Sequence, residues 1–202
     1  MTGWITDPAE LAALYDAPLP AVIQKATPVL TPLYARWIAA SPLCVLATNG
    51  PMGPDASPRG DDGPVVRILS PDRIELPDWR GNNRIDSLKN ILHDPKVALM
   101  FLVPGAGNVV RVNGRARLTA DEARRAAFAR DGHLPRLVID IAITQVQVQC
   151  ARALMRARAW DGRPAPEVLP SVGQIMAEIT QGALDGAVYD RDWPARAAKS
   201  LW

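Results

Sequence analysis

Between Leu43 and Gln149 the chain carries six short runs rich in Val, Ile and Leu: LCVLAT (43–48), VVRILS (65–70), RIEL (73–76), KVALMFLV (96–103), NVVRVNGRARL (108–118) and LVIDIAITQVQVQ (137–149). Pro, Gly, Asn and Asp punctuate them at hairpin spacing, the pattern of a meandering antiparallel sheet in a barrel or sandwich. In the last run Ile143, Val146 and Val148 alternate with Gln145, Gln147 and Gln149, and the alternation slips once. Two helical segments interrupt the strands. NNRIDSLKNILHD (82–94) gathers Ile85, Leu88, Ile91 and Leu92 on one face and stops before Pro95, and DEARRAAFARD follows the fifth run.

The flanks differ in character. PAELAALYDA, behind an Asp7 cap and Pro8, brings Leu11, Leu14 and Tyr15 to one face. PLYARWIAAS, behind Thr31, does the same for Leu33, Trp37 and Ile38. Two further helical pieces span roughly 171–181 and 183–199. The expected layout is one domain: a helical N-terminal extension (1–42) packed on a β core (43–160), and a helical C-terminal tail (161–202). A chain of 202 residues that is 48% hydrophobic and 22% charged suits a single globular core.

A net charge of +2 does not point to nucleic acid or an anionic membrane as partner. The apolar runs are too short to span a bilayer, and the N-terminus does not read as an export signal, so a cytoplasmic protein is expected. Two His and two Cys provide neither a zinc site nor a disulfide framework, and no metal is expected. His93 reads as a partner for a helix C-terminus, His133 as a turn residue, and Cys44 and Cys150 as packing residues. The phosphate-cradling glycine signatures GxGxxG and GxxxxGK[ST] are missing.

What remains is a set of Arg-bearing, Gly-rich segments between the strands: DASPRGDDG (55–63), PDWRGNNR (77–84) and RVNGRAR (111–117). Each places a guanidinium beside a small residue that lets backbone amides approach an oxyanion. For each there is also a plain alternative: Asp61 or Asp62 pairs with Arg59, and Asn82 or Asn83 caps the helix. Arg84 is expected in the first turn of that helix, where the dipole disfavours a cation unless an anion binds nearby. On the strand, Arg111, Asn113, Arg115 and Arg117 share one face, turned either to solvent or to a cleft.

The ordered segments LYDAP, SPLCVLAT, DASPRGD, LPDWRGNNRIDSLKNIL, FLVPG, RVNGRA and QCARALMRARAW resemble the pyridoxamine 5'-phosphate oxidase-like, FMN-binding split-barrel superfamily. Within it they resemble the subgroup of FMN-dependent enzymes with SPRGD and GNxRxDS signatures. The resemblance runs from about residue 11 to 160. It implies a mainly β fold with peripheral helices, a six-stranded antiparallel split barrel, which forms a homodimer with FMN between the subunits. It also implies an oxidoreductase acting on a small molecule, in which the flavin performs the redox step. A protein that holds FMN, a deazaflavin or a tetrapyrrole without turnover is the alternative. A pyridoxal phosphate protein would need a Schiff-base lysine, for which Lys89 is poorly placed.

Carried over by position, Arg59 and Arg84 are the phosphate and ribityl candidates, supported by Ser57 and Asn82. Arg111 and Asn113 are candidates for the ring or ribityl edge, and Arg156 and Trp160 for contributions from the other subunit. Departures bear on the substrate. Pyridoxamine phosphate oxidases carry Arg-x-x-Leu-Leu-Lys where this chain has VVRILSPD, and a Trp-Gln-Gly-x-Arg signature where it ends AAKSLW. Slow or absent turnover of pyridoxamine phosphate is therefore expected. In CARALMRARAW, Arg152 and Ala157 stand where the subgroup has Lys and Ser.

Overall fold

The computed structural model describes residues 3–202. Its centre is one antiparallel sheet of seven strands: β1 (Leu43–Gly50), β2 (Gly53–Gly60), β3 (Arg67–Ser70), β4 (Arg73–Asp78), β5 (Lys96–Leu102), β6 (Val109–Thr119) and β7 (Leu137–Gln149). They are ordered β2-β1-β5-β6-β7-β4-β3. Seven strands replace the expected six because the DASPR segment, expected between strands, is itself one. It pairs with β1 from Leu43↔Gly60 to Gly50↔Gly53. Pro54 and Pro58 argue against an interior strand, but β2 is an edge, where a missing N–H leaves no ladder bond unmade.

One face of the sheet is the core. Cys44, Leu46, Leu99, Phe101, Val112 and Ile141 are all at most 1% exposed. The slip in the alternation of β7 is a bulge. Asn113 pairs with Gln145 and Gly114 with Ile143, so Thr144 is the extra residue, and its hydroxyl donates to Asn113 O at 3.1 Å.

Among the described residues eight helices flank the sheet: α1 (Pro8–Ala12), α2 (Pro20–Gln24), α3 (Pro32–Ala39), α4 (Asp86–His93), α5 (Glu122–Ala126), α6 (Arg152–Ala157), α7 (Val172–Ile179) and α8 (Gly186–Ala198). The caps at Asp7 and Thr31 form as expected, accepting from Ala9 N and Tyr34 N. The apolar face expected on the first helix is not buried: α1 ends at Ala12, and Leu11, Leu14 and Tyr15 are exposed. α3 buries only Ile38. α2 and α6 are additions to the sequence expectation.

α4 packs on β1, with Leu88 and Ile91 in the core. Its Asn90 side chain donates to Thr48 Oγ1 at 3.1 Å, and Gly50 leaves the room that Asn90 occupies. No helix among the described residues is long and apolar enough to cross a membrane.

On the opposite face of the sheet, under α5, lies a charged row that the sequence did not announce. Arg67, Glu75, Asp140 and Arg117 are successive cross-strand neighbours on β3, β4, β7 and β6. Two adjacent buried carboxylates would repel. Arginines offset this: Arg67 grips Glu75 through Nε and Nη2, Arg73 binds both oxygens of Asp140, and Arg124 from α5 reaches both carboxylates. The bond from Arg73 holds the Asp140 carboxyl down at about 2 against the upward push of its burial, and Arg124 adds to the depression.

Candidate functional site

β2 alternates with period two, so Asp55, Ser57 and Arg59 share the face that β1 turns to the core through Thr48, Leu46 and Cys44. At the sheet edge this polar row meets the start of α4 and the loop between β4 and α4. Together they enclose a cavity of about 590 Å³, within the size range of small-ligand sites. Its lining includes Asp55, Ser57 and Arg59 from β2, Asp78 from β4, the whole loop 79–85, Ser87 from α4, and Arg136 and Leu201 from distant parts of the chain.

A continuous hydrogen-bonded chain runs along one wall. Ser87 Oγ donates to Asp55 Oδ2 at 2.7 Å, Ser57 and Ser87 hydroxyls lie 3.2 Å apart, and Arg59 Nε donates to Ser57 Oγ at 3.2 Å. Because Ser87 spends its one proton on Asp55, Ser57 must donate to Ser87, and the chain is polarised from the Arg59 cation to the Asp55 anion. At the other end Arg59 Nη1 donates to Asp78 Oδ1 at 2.5 Å, with both side chains less than one-fifth exposed. Arg59 is thus held at two points while its remaining N–H groups are available to a ligand.

The loop supplies the other cations. Arg84 lies two residues before α4 begins, not in its first turn, so the helix-dipole argument for an anion beside it does not hold. Its guanidinium pairs locally with Asp86 at 2.8 Å and is 77% exposed. Left-handed residues bracket it, Asn83 at φ 62° and Ile85 at φ 53°. For β-branched Ile85 this is a strained conformation of the kind concentrated at functional loops. Asn82 neither caps the helix nor stands free, since its Oδ1 accepts from Arg84 N at 3.1 Å and so braces the loop.

Arg80 and Arg136 also line the cavity, and among the described residues neither guanidinium has a hydrogen-bond or ion-pair partner. Four guanidiniums face three carboxylates, Asp55, Asp78 and Asp86. The donor set suits a ligand that carries an anionic group together with hydroxyls for the carboxylates to accept. A phosphate-bearing polyol such as the tail of FMN has that chemistry.

Ser57, Arg59, Asn82 and Arg84 therefore meet in one cavity. The other four candidates lie elsewhere. Arg111 and Asn113 are on the opposite face of the sheet: Arg111 is exposed, and Asn113 donates to Gln145 Oε1 at 3.2 Å beside a second hollow of about 520 Å³ lined by Ala47, Lys96, Ala98 and Arg115. Arg156 is exposed on α6. Trp160 follows α6, its Nε1 donating to Ala106 O at 2.8 Å. Cys44 lies beneath Arg59, and burial pushes its thiol up to about 12 in spite of the nearby cation. Asp55, Asp78, Ser87, Arg80, Arg136 and Leu201 were not singled out in the sequence. Asp55 had a signal there, since polar residues alternate at 55, 57 and 59.

A family model described as pyridoxamine 5'-phosphate oxidase matches residues 30–150, more than half of the chain and all seven strands. The chain belongs to the pyridoxamine 5'-phosphate oxidase family. The chain is also similar to several solved structures. HupZ of Group A Streptococcus is 20% identical with a TM-score of 0.47, over 58% of this chain and 91% of that one. An FAD-binding protein of Mesorhizobium loti is 17% identical with a TM-score of 0.42, over 61% and 94%. General Stress Protein 26 of Bacillus anthracis is 14% identical with a TM-score of 0.43, over 56% and 88%. No curated protein matches the chain.

Proposed function

We propose that this pyridoxamine 5'-phosphate oxidase-family chain is a flavoprotein oxidoreductase that binds FMN in the 590 Å³ cavity and passes electrons between the flavin and an unidentified small molecule. The observation that carries this reading is the convergence of the SPRGD and GNNR arginines, Arg59 and Arg84, on one cavity of phosphate-and-hydroxyl chemistry. FMN, when bound, supplies the two-electron redox step.

The chain's residues have the remaining tasks. Arg59, oriented by Asp78 and Ser57, meets the phosphate as a fixed donor. Arg84, with only a local partner, turns onto the same group. Asn82 keeps the loop in shape, and Asp55 accepts from ribityl hydroxyls. Ser57 acts through Arg59, because its own proton is committed to Ser87. The finer parts of the reading are membership of the SPRGD and GNxRxDS subgroup, closure of the sheet as a split barrel, a helical extension and tail about a 43–160 core, and a cytoplasmic homodimer. In that dimer Arg156 and Trp160 serve the partner's flavin; Arg111 and Asn113, the candidates for the ring or ribityl edge, lie on the sheet face away from this cavity and meet a flavin only across the interface.

The test is flavin titration of the purified protein. Arg59→Ala and Arg84→Ala should each weaken FMN binding by about 1.5–3 kcal/mol while leaving riboflavin, which lacks the phosphate, much less affected. Unchanged FMN affinity in both variants would overturn the site. Anaerobic bleaching of the loaded protein by NADH, NADPH or amines distinguishes turnover from simple holding.

A further inference from the structure

The segment after α8 returns to the cavity. Leu201 forms part of its lining, and the Trp202 ring stands edge-on to Trp79 with centroids 5.2 Å apart. The Arg130 guanidinium lies over the same indole, 4.7 Å from its centroid. Arg130 in turn pairs with Asp61 at 3.0 Å, and Asp61 Oδ2 accepts from Trp79 Nε1 at 2.9 Å. The contacts close a ring, Trp79–Trp202–Arg130–Asp61–Trp79, in which each side chain holds the next. α7 and α8 pack on each other, so this ring is a point where the tail is fastened to the wall of the cavity.

Its position along the cavity is informative. Trp79 stands between Asp78, the partner of Arg59, and Arg80, and belongs to the loop that carries Arg84. The tail therefore stands beside the Arg59–Asp78 end of the polar wall whose other end is Asp55. A mononucleotide stops at its phosphate and fits short of the tail. A dinucleotide continues from that phosphate through a second one into a nucleoside, and beside a phosphate held by Arg59 stands Leu201, backed by Trp202 on Trp79.

Resting on the proposed binding of FMN in this cavity, we propose that Leu201 and Trp202 are specificity-determining residues that admit flavin mononucleotide and reject flavin adenine dinucleotide. The selection is steric. It excludes the larger ligand without adding a contact to the smaller one.

The test compares FMN and FAD affinity by flavin fluorescence quenching for the wild-type chain, a Leu201→Gly/Trp202→Gly double variant and Trp202→Phe. The wild-type protein should prefer FMN by about tenfold or more, and the double variant should gain FAD affinity by a similar factor with no gain for FMN. Trp202→Phe, which keeps an aromatic ring against Trp79, should still reject FAD. A gain of binding does not arise from damage to the fold, so the FAD result is decisive. A double variant that rejects FAD as well as wild type overturns the assignment, as does a wild-type protein that binds both flavins alike. A wild-type protein that takes up neither flavin overturns the FMN reading itself, and this inference with it.

Discussion

Arg59 and Asp78, from the two strands that flank the cavity, form an ion pair of 2.5 Å with both side chains largely withdrawn from solvent. Removing one partner leaves the other charge unanswered in a half-enclosed space, whereas removing both does not. Arg59→Ala should lower stability by about 1–3 kcal/mol. The double variant Arg59→Ala/Asp78→Asn should recover a substantial part of that loss. Urea unfolding of the two single variants and the double variant measures the coupling, and strictly additive losses would show that the pair does not act as a unit.

The Asp140 carboxyl is held at about 2, below its unfolded value of about 3.9, chiefly by the bond from Arg73. A depressed carboxyl contributes stability that is complete above the unfolded value and disappears as the pH falls through the folded one. Stability should therefore drop by about 2 kcal/mol between about pH 4 and pH 2 on account of this group. Asp140→Asn should remove that component of the acid dependence and, by leaving Arg73 without its carboxylate and Arg124 with Glu75 alone, cost about 3 kcal/mol at neutral pH. Denaturation midpoints measured across the acid range check both.

Gly114, in the RVNGRA segment, lies where β6 and β7 approach at the bulge. A Cβ there would stand 2.6 Å from Ala142 O and 2.8 Å from Ile141 Cγ2, and the backbone oxygen has no room to move. Gly114→Ala should destabilise by about 1–3 kcal/mol through overpacking. A thermal midpoint equal to that of the wild type would refute the close approach.

The two thiols should differ sharply in reactivity. Cys44 is fully buried with its thiol raised to about 12, while Cys150 is exposed. At pH 8 a disulfide reagent should modify Cys150 in the native protein and reach Cys44 only on unfolding, because the thiolate is the reacting species. Two equally fast thiols in the native state would contradict the burial of β1.

How far the sequence could be read depended on whether the signal was local. Six strands and the caps at Asp7 and Thr31 follow from side-chain periodicity and turn chemistry over a few residues, whereas the bulge at Thr144 leaves in the sequence only a slip in an alternation. β2 was missed because its two prolines and two terminal glycines obscure a period-two pattern. They are tolerated only because the strand lies at an edge, and an edge is a property of the whole sheet. The start of α4 was placed too early because Asn82 and Asn83 look like caps. In the structure Asn82 instead accepts from the Arg84 N–H within the loop.

By itself the sequence determined the strand periodicity, the family, and three arginine segments with oxyanion chemistry. Only the tertiary structure decided what those arginines are bound to and what stands beside them. Arg59 is committed to an aspartate 19 residues away, and Arg73 to one 67 residues away. Ser57 orients a cation while its proton goes to Ser87, and Leu201, from the far end of the chain, lines the cavity while Trp202 packs on Trp79. Charge pairing and cavity shape depend on which distant residues folding brings together, and a local pattern of residues carries no record of that.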